Sequence, residues 1–209
     1  MLDKRMWAGA FLATLAGTAA GAAESAACSV RVASVDSAQV ATFRAECSWH
    51  VATKFVTAVL TDPRRMAAVS SSLEESRRLP DGRVVNVQKA GWPMDDRQST
   101  LAVTDEPLPG GGIRRSFRLA SVQEPTREGR VQVSVDEGSW VVSAAQGGGT
   151  HLELTMRYEP GGNMPPSLVH KMSPERIAHS LEEIRVAAEA LSRGPAANAD
   201  VASGPPSGR

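Results

Sequence analysis

The ten residues ATFRAECSWH, 41–50, alternate without a break. Ala41, Phe43, Ala45, Cys47 and Trp49 point one way, and Thr42, Arg44, Glu46, Ser48 and His50 point the other. A period of two belongs to a strand with one buried and one solvated face, the pattern of an antiparallel sheet. More such runs follow. Val30 to Val35, Ser72 to Leu79, Arg83 to Ala90, Ser99 to Thr104 and Ile113 to Leu119 all read as strands. So do Arg130 to Ala145, expected to bulge at Glu137-Gly138, and the alternating Leu152, Leu154, Met156 and Tyr158. Helical spacing occurs in two places. Phe55, Val56, Val59 and Leu60 precede the interruption Asp62-Pro63, after which Met66 and Val69 suggest a second short helix. Ile177, Leu181, Ile184, Ala188 and Leu191 then draw one apolar stripe, with Ser173 as expected N-cap and Pro174 in the first helical position.

No βαβ alternation occurs, so a parallel sheet is not expected. The fold class that fits is α+β, a curved antiparallel sheet wrapped around a long C-terminal helix. A bent sheet and one helix leave space between them, a natural place for a ligand cavity. Such a cavity would be filled by ligand, partly wet, or collapsed when empty.

Both ends of the chain read differently. Asp3-Lys4-Arg5, the apolar run MWAGAFLATLAGTAAG and small residues around Ala20-Gly21-Ala22 form a signal-peptide pattern over residues 1–23. The run is short for a membrane anchor. Export implies an oxidising compartment, the periplasm or the exterior. Residues 29–193 then form one domain. GPAANADVASGPPSGR, 194–209, has the composition of a disordered tail. Two cysteines leave three fates open: a Cys28–Cys47 disulfide, acylation of Cys28 after the degenerate lipobox Ser25-Ala26-Ala27, or two free thiols.

Several function classes find no support. Lys+Arg and Asp+Glu both number 23, so the chain has no basic excess for nucleic acid. Aromatic residues are 4%, too few for a base-stacking platform. No metal-ligand spacing joins the four histidines, and no nucleophile elbow or phosphate loop occurs. No cofactor is expected.

Two motifs carry a family resemblance. Trp92-Pro93-Met94-Asp95-Asp96-Arg97 resembles the Trp-Pro-x-x-Asp-Arg motif of START domains, the lipid-transfer branch of the helix-grip, Bet v1-like superfamily. Tyr158-Glu159-Pro160-Gly161-Gly162-Asn163-Met164-Pro165 resembles the Asp-Pro-Gly-Gly segment that leads into that family's last helix. The stretch VSVDEGSWVVSAAQGGGTHLELTMRYEPGG, 133–162, with Trp140 at the usual aromatic position, and Val59-Leu60-Thr61-Asp62 are similar as well. Gln98, Glu159 and Pro166-Ser167-Leu168 depart from the family pattern.

The resemblance implies a helix-grip fold holding a lipid or other hydrophobic small molecule. It further implies a monomer in transient contact with a membrane. The expected ligand-binding residues are Trp92, Arg97, Leu154, Met156, Met164, Leu168, Met172, Ile177 and Leu181. Each has a plainer alternative: Arg97 in an ion pair with Asp95 or Asp96, the apolar residues in ordinary core. Two rivals to a carrier remain. One is a cyclase- or hydrolase-like enzyme using the same cavity, with Arg97 meeting His151 or Asp96. The other is an envelope interaction module whose core is packed shut.

Overall fold

The computed structural model describes residues 28–91 and 94–194. The signal-peptide segment, residues 195–209 of the expected tail, and Trp92 and Pro93 lie outside them. Strands β1 (Cys28–Val35) and β2 (Ala41–Trp49) lead into helices α1 (Thr53–Thr61) and α2 (Pro63–Val69). Then come β3 (Leu73–Arg78), β4 (Val84–Gln88), β5 (Asp96–Leu108), β6 (Gly112–Leu119), β7 (Arg130–Gln132), β8 (Val135–Ala144) and β9 (Thr150–Glu159). Helix α3 (Pro166–Arg193) ends the described chain. The strands form one sheet in the order β1-β2-β9-β8-β6-β5-β4-β3, with β7 beside β5.

Local chemistry accounts for most of these boundaries. In β2 every residue of the row Ala41, Phe43, Ala45, Cys47 and Trp49 is buried. Helix α1 buries Val56, Val59 and Leu60 and stops before Pro63, whose ring and missing N–H forbid its continuation. Asp62 then caps α2, its Oδ1 accepting from the backbone N–H groups of Arg64 (3.0 Å) and Arg65 (3.4 Å).

Cys28 and Cys47 face each other across β1 and β2 and form a disulfide. A bridged Cys28 has no thiol left to acylate. The closed loop spans a sequence separation of 19. Removing the bridge with C28S/C47S should cost about 3 kcal/mol by the loop-closure relation. A urea titration checks this, and an unchanged midpoint would contradict it.

Three expectations need correction. The long run from Arg130 breaks at Val133-Ser134, not at Glu137-Gly138. The Val133 N–H donates to the Gln98 carbonyl (2.9 Å) and the Ser134 N–H to the Glu159 carbonyl (3.0 Å), so each residue joins a different neighbour. Gly138 stays in register between Phe117 and Met156. A Cβ there would lie 2.1 Å from the Thr155 carbonyl oxygen, so the glycine serves close approach rather than a bulge. The second correction is one parallel pairing, Asp96 to Gln98 of β5 with Arg130 to Gln132 of β7. Third, α3 starts at Pro166, and Pro174 lies inside it. Pro174 cannot donate to the His170 carbonyl. Tertiary packing outweighs that loss, because Val169, ahead of the proline, is buried against Ala41 and Phe43.

The core has two parts. The larger lies where α1 and α3 meet the sheet and includes Trp49, Val56, Leu152, Leu154, Leu181 and Ile184. The smaller holds Ala41, Phe43 and Val169. Met156 and Ile177 pack against both, half-buried.

Candidate functional site

A cavity of about 250 Å³ lies between the inner face of the sheet and α3. Six of the nine expected ligand-binding residues line it: Arg97, Leu154, Met156, Met164, Met172 and Ile177. Trp92 is outside the described residues. Leu168 is 36% exposed and off the cavity wall. Leu181 is 0% exposed and belongs to the solid core rather than the wall.

Helix geometry explains Leu181. At about 100° per residue, Ser173, Ile177, Ser180 and Ile184 share one arc of α3, and Leu181 falls beside it. The arc facing the cavity is thus rotated from the apolar stripe and carries Ser173, Arg176 and Ser180. Hydropathy alone reads those residues as solvent-facing.

The wall has a polar region that the sequence reading missed. Asp136 is 4% exposed, and its Oδ2 accepts from the Ser99 hydroxyl at 3.0 Å. Burial pushes its carboxyl up to about 7, against the smaller opposing effect of the Ser99 hydrogen bond. Tyr158, opposite Asp136 across β8 and β9, donates its hydroxyl to Gln88 Oε1 at 2.9 Å. Burial first, and then the charge of Asp136, push this phenol up. Asn86 Oδ1 accepts from the Ser76 hydroxyl at 2.7 Å. The available signal was strand parity: with the break at Val133-Ser134, the inward row of β8 becomes Asp136, Gly138, Trp140 and Val142.

Arg97 stands opposite Gln88 across β4 and β5 and is 6% exposed. Its Nη1 donates to the backbone carbonyl of Asp95, and its buried Nε has no partner among the described residues. The expected ion pair with Asp95 or Asp96 does not form. Asp96 precedes Arg97 in the strand, where neighbours face opposite ways, and its Oδ1 accepts from the Ala90 N–H at 3.0 Å. Arg115, also on the wall, reaches Asp105 Oδ2 at 3.4 Å, and burial pushes its guanidinium down.

The histidines lie elsewhere. His151 pairs with Glu153 at 3.2 Å and is not on the cavity wall. His179 Nε2 lies 3.1 Å from the Ser71 hydroxyl and 3.2 Å from Glu183 Oε1. One nitrogen serves both contacts, whereas a Ser-His-acid triad uses the two ring nitrogens separately. The closed-core reading expected side chains to fill the space where the cavity lies.

No protein-family model matches the chain. An uncharacterized protein of Pseudomonas aeruginosa is 26% identical over 98 residues, 47% of this chain and 48% of that one. The chain thus matches about half the length of this relative. Among solved structures, a STAR-related lipid transfer protein fragment from Xanthomonas axonopodis matches with a TM-score of 0.69 at 22% identity, over 78% of this chain and 93% of that one. Human STARD10 matches with a TM-score of 0.70 at 15% identity, over 79% and 71%. The Zhui aromatase/cyclase of Streptomyces sp. R1128 matches with a TM-score of 0.52 at 15% identity, over 76% and 98%. The nine-stranded sheet, its curl around α3 and these likenesses agree: the chain has the helix-grip fold of the START-related lipid-transfer domains.

Proposed function

We propose that the protein takes one lipid or other apolar small molecule into this cavity, and sequesters or transfers it. The observation that carries the reading is the cavity itself, walled by Leu154, Met156, Ile177 and other apolar side chains between sheet and helix. Burial of the ligand's hydrocarbon would drive uptake at about 0.8 kcal/mol per methylene. Methionines at 94, 156, 164 and 172 suit such a wall, because their unbranched side chains adapt to varied shapes. The names of the START-type neighbours support the ligand class. The Cys28–Cys47 bridge supports an exported protein, periplasmic or secreted, because disulfides persist in oxidising compartments. The chain would act as a monomer that touches a membrane to load or unload.

A second reading is favoured by one observation. Asp136 and Tyr158 place a carboxyl able to hold its proton near neutral pH beside a buried phenol in the cavity. That arrangement suits general acid chemistry, and a cyclase shares the fold. A polar region that only orients a ligand needs no turnover, so release of the ligand unaltered distinguishes the two readings.

Thermal melting with and without added ligands tests the carrier reading. Fatty acids, sterols and phospholipids are tried in turn. A ligand at one hundred times its Kd adds about 2.7 kcal/mol, which raises the Tm of a domain this size by roughly 5–10 °C. No shift with any apolar ligand would contradict the proposal.

A further inference from the structure

We infer that the ligand carries one anionic head on a single apolar tail, and that Arg97 holds the head. The inference rests on the reading that the cavity binds an apolar molecule. Among the described residues, the cavity wall carries Lys89, Arg97, Arg115 and Arg176 against the single acid Asp136. Arg115 has Asp105 as a counter-ion, and Arg176 donates to the Lys89 carbonyl. Arg97 has neither relief. It is 6% exposed, donates to one backbone carbonyl, and keeps a buried Nε with no partner among the described residues. Among the described residues no carboxylate comes within 4.0 Å of its guanidinium. A buried guanidinium needs a counter-charge, and its planar fork matches a carboxylate or a phosphate monoester.

The neighbours fit the same head. Gln88 faces Arg97 across the strands, accepts the Tyr158 hydroxyl on Oε1, and so keeps its amide NH2 as a further donor. Asp136 does not neutralise the arginine by ion pairing, and below about pH 7 it is largely uncharged. The tail is limited by volume. About 250 Å³ lies just under the ~300–1,000 Å³ usual for small-molecule sites. One chain suits that space better than the two of a diacyl phospholipid.

Calorimetry on the full chain, stripped of lipid, tests this with dodecanoate, dodecyl phosphate, dodecanol and methyl dodecanoate, each below its micelle concentration. The expected result is that at least one anion binds tenfold or more tightly than the alcohol and the ester. Which anion wins separates a carboxylate head from a phosphate. R97M should bring the anion-to-alcohol affinity ratio to about one, and R97K should leave it intermediate. Equal binding of anions and alcohol by the unaltered protein would overturn the inference yet leave apolar binding standing. A preference that persists in R97M would overturn the role of Arg97. Should R97M fail to fold, the anion-to-ester ratio of the unaltered protein decides the head. Binding of a sterol or diacyl lipid with none of these four would overturn the single-tail anion. Silence from every apolar probe would instead defeat the carrier reading beneath it.

Discussion

M156W should weaken ligand uptake by about 200-fold and leave the protein folded. Met156 stands on the inner row of β9, opposite Gly138, and packs against both parts of the core. A larger side chain there has the cavity to grow into, so it displaces ligand rather than neighbours. If the indole takes the place of four methylenes, the loss is about 3 kcal/mol, roughly 200-fold in affinity. Stability should move the opposite way. An empty cavity of about 250 Å³, at ~24 cal/mol per Å³, costs up to about 6 kcal/mol. Filling part of it raises the Tm of the ligand-free protein. L181A is the control, because Leu181 lies in the solid core. It should cost about 2–5 kcal/mol and lower the Tm. Calorimetric binding with melting curves of both variants checks the pair. Uptake by M156W at the unaltered affinity would show that the ligand sits elsewhere.

D136N should erase a loss of stability that the unaltered protein suffers between about pH 4 and 7. The Asp136 carboxyl has an ordinary value of 3.8 and is pushed up to about 7 by burial. Between those values the folded chain holds a proton that the unfolded chain has released. Stability therefore falls as pH rises through this window. The favourable contribution is complete below about 4 and gone above about 7. Some three pH units at ~1.36 kcal/mol each give about 4 kcal/mol. Asparagine still offers an oxygen to the Ser99 hydroxyl and has no charge to desolvate. Urea titrations at pH 4.5 and pH 8 should show the variant gaining about 3 kcal/mol on the unaltered protein between the two conditions, since part of the window lies below pH 4.5. Parallel pH profiles for the two proteins would contradict the neutral buried carboxyl.

The legible parts of the fold are those where one local pattern meets one environment. Strand β2 alternates cleanly because one face is buried and the other is mostly solvated. Helix α1 ends at Asp62-Pro63 for a reason contained in two residues. Strand β7 is three residues long and pairs in parallel with a strand some thirty residues earlier, so no local pattern marks it. The start of α3 was hidden by Pro174, since Val169 is anchored by Phe43 and Ala41, far back in the chain. The site divides in the same way. Arg97 and the methionines were legible because motif and composition pointed to them. Asp136, Gln88 and Tyr158 were not, because a polar residue facing a cavity looks like one facing water. Leu181 and Ile177 belong to the same apolar stripe, and only their angle around α3 separates core from cavity.

The hollow between sheet and helix is the central claim, and its contents can be weighed. The measurement is native mass spectrometry of the protein purified without detergent from its natural source, followed by organic extraction. The expected spectrum shows one apolar molecule per chain, lost on extraction, regained from a lipid mixture, and absent from M156W. A spectrum with only the bare chain mass, before and after exposure to lipids, would contradict it.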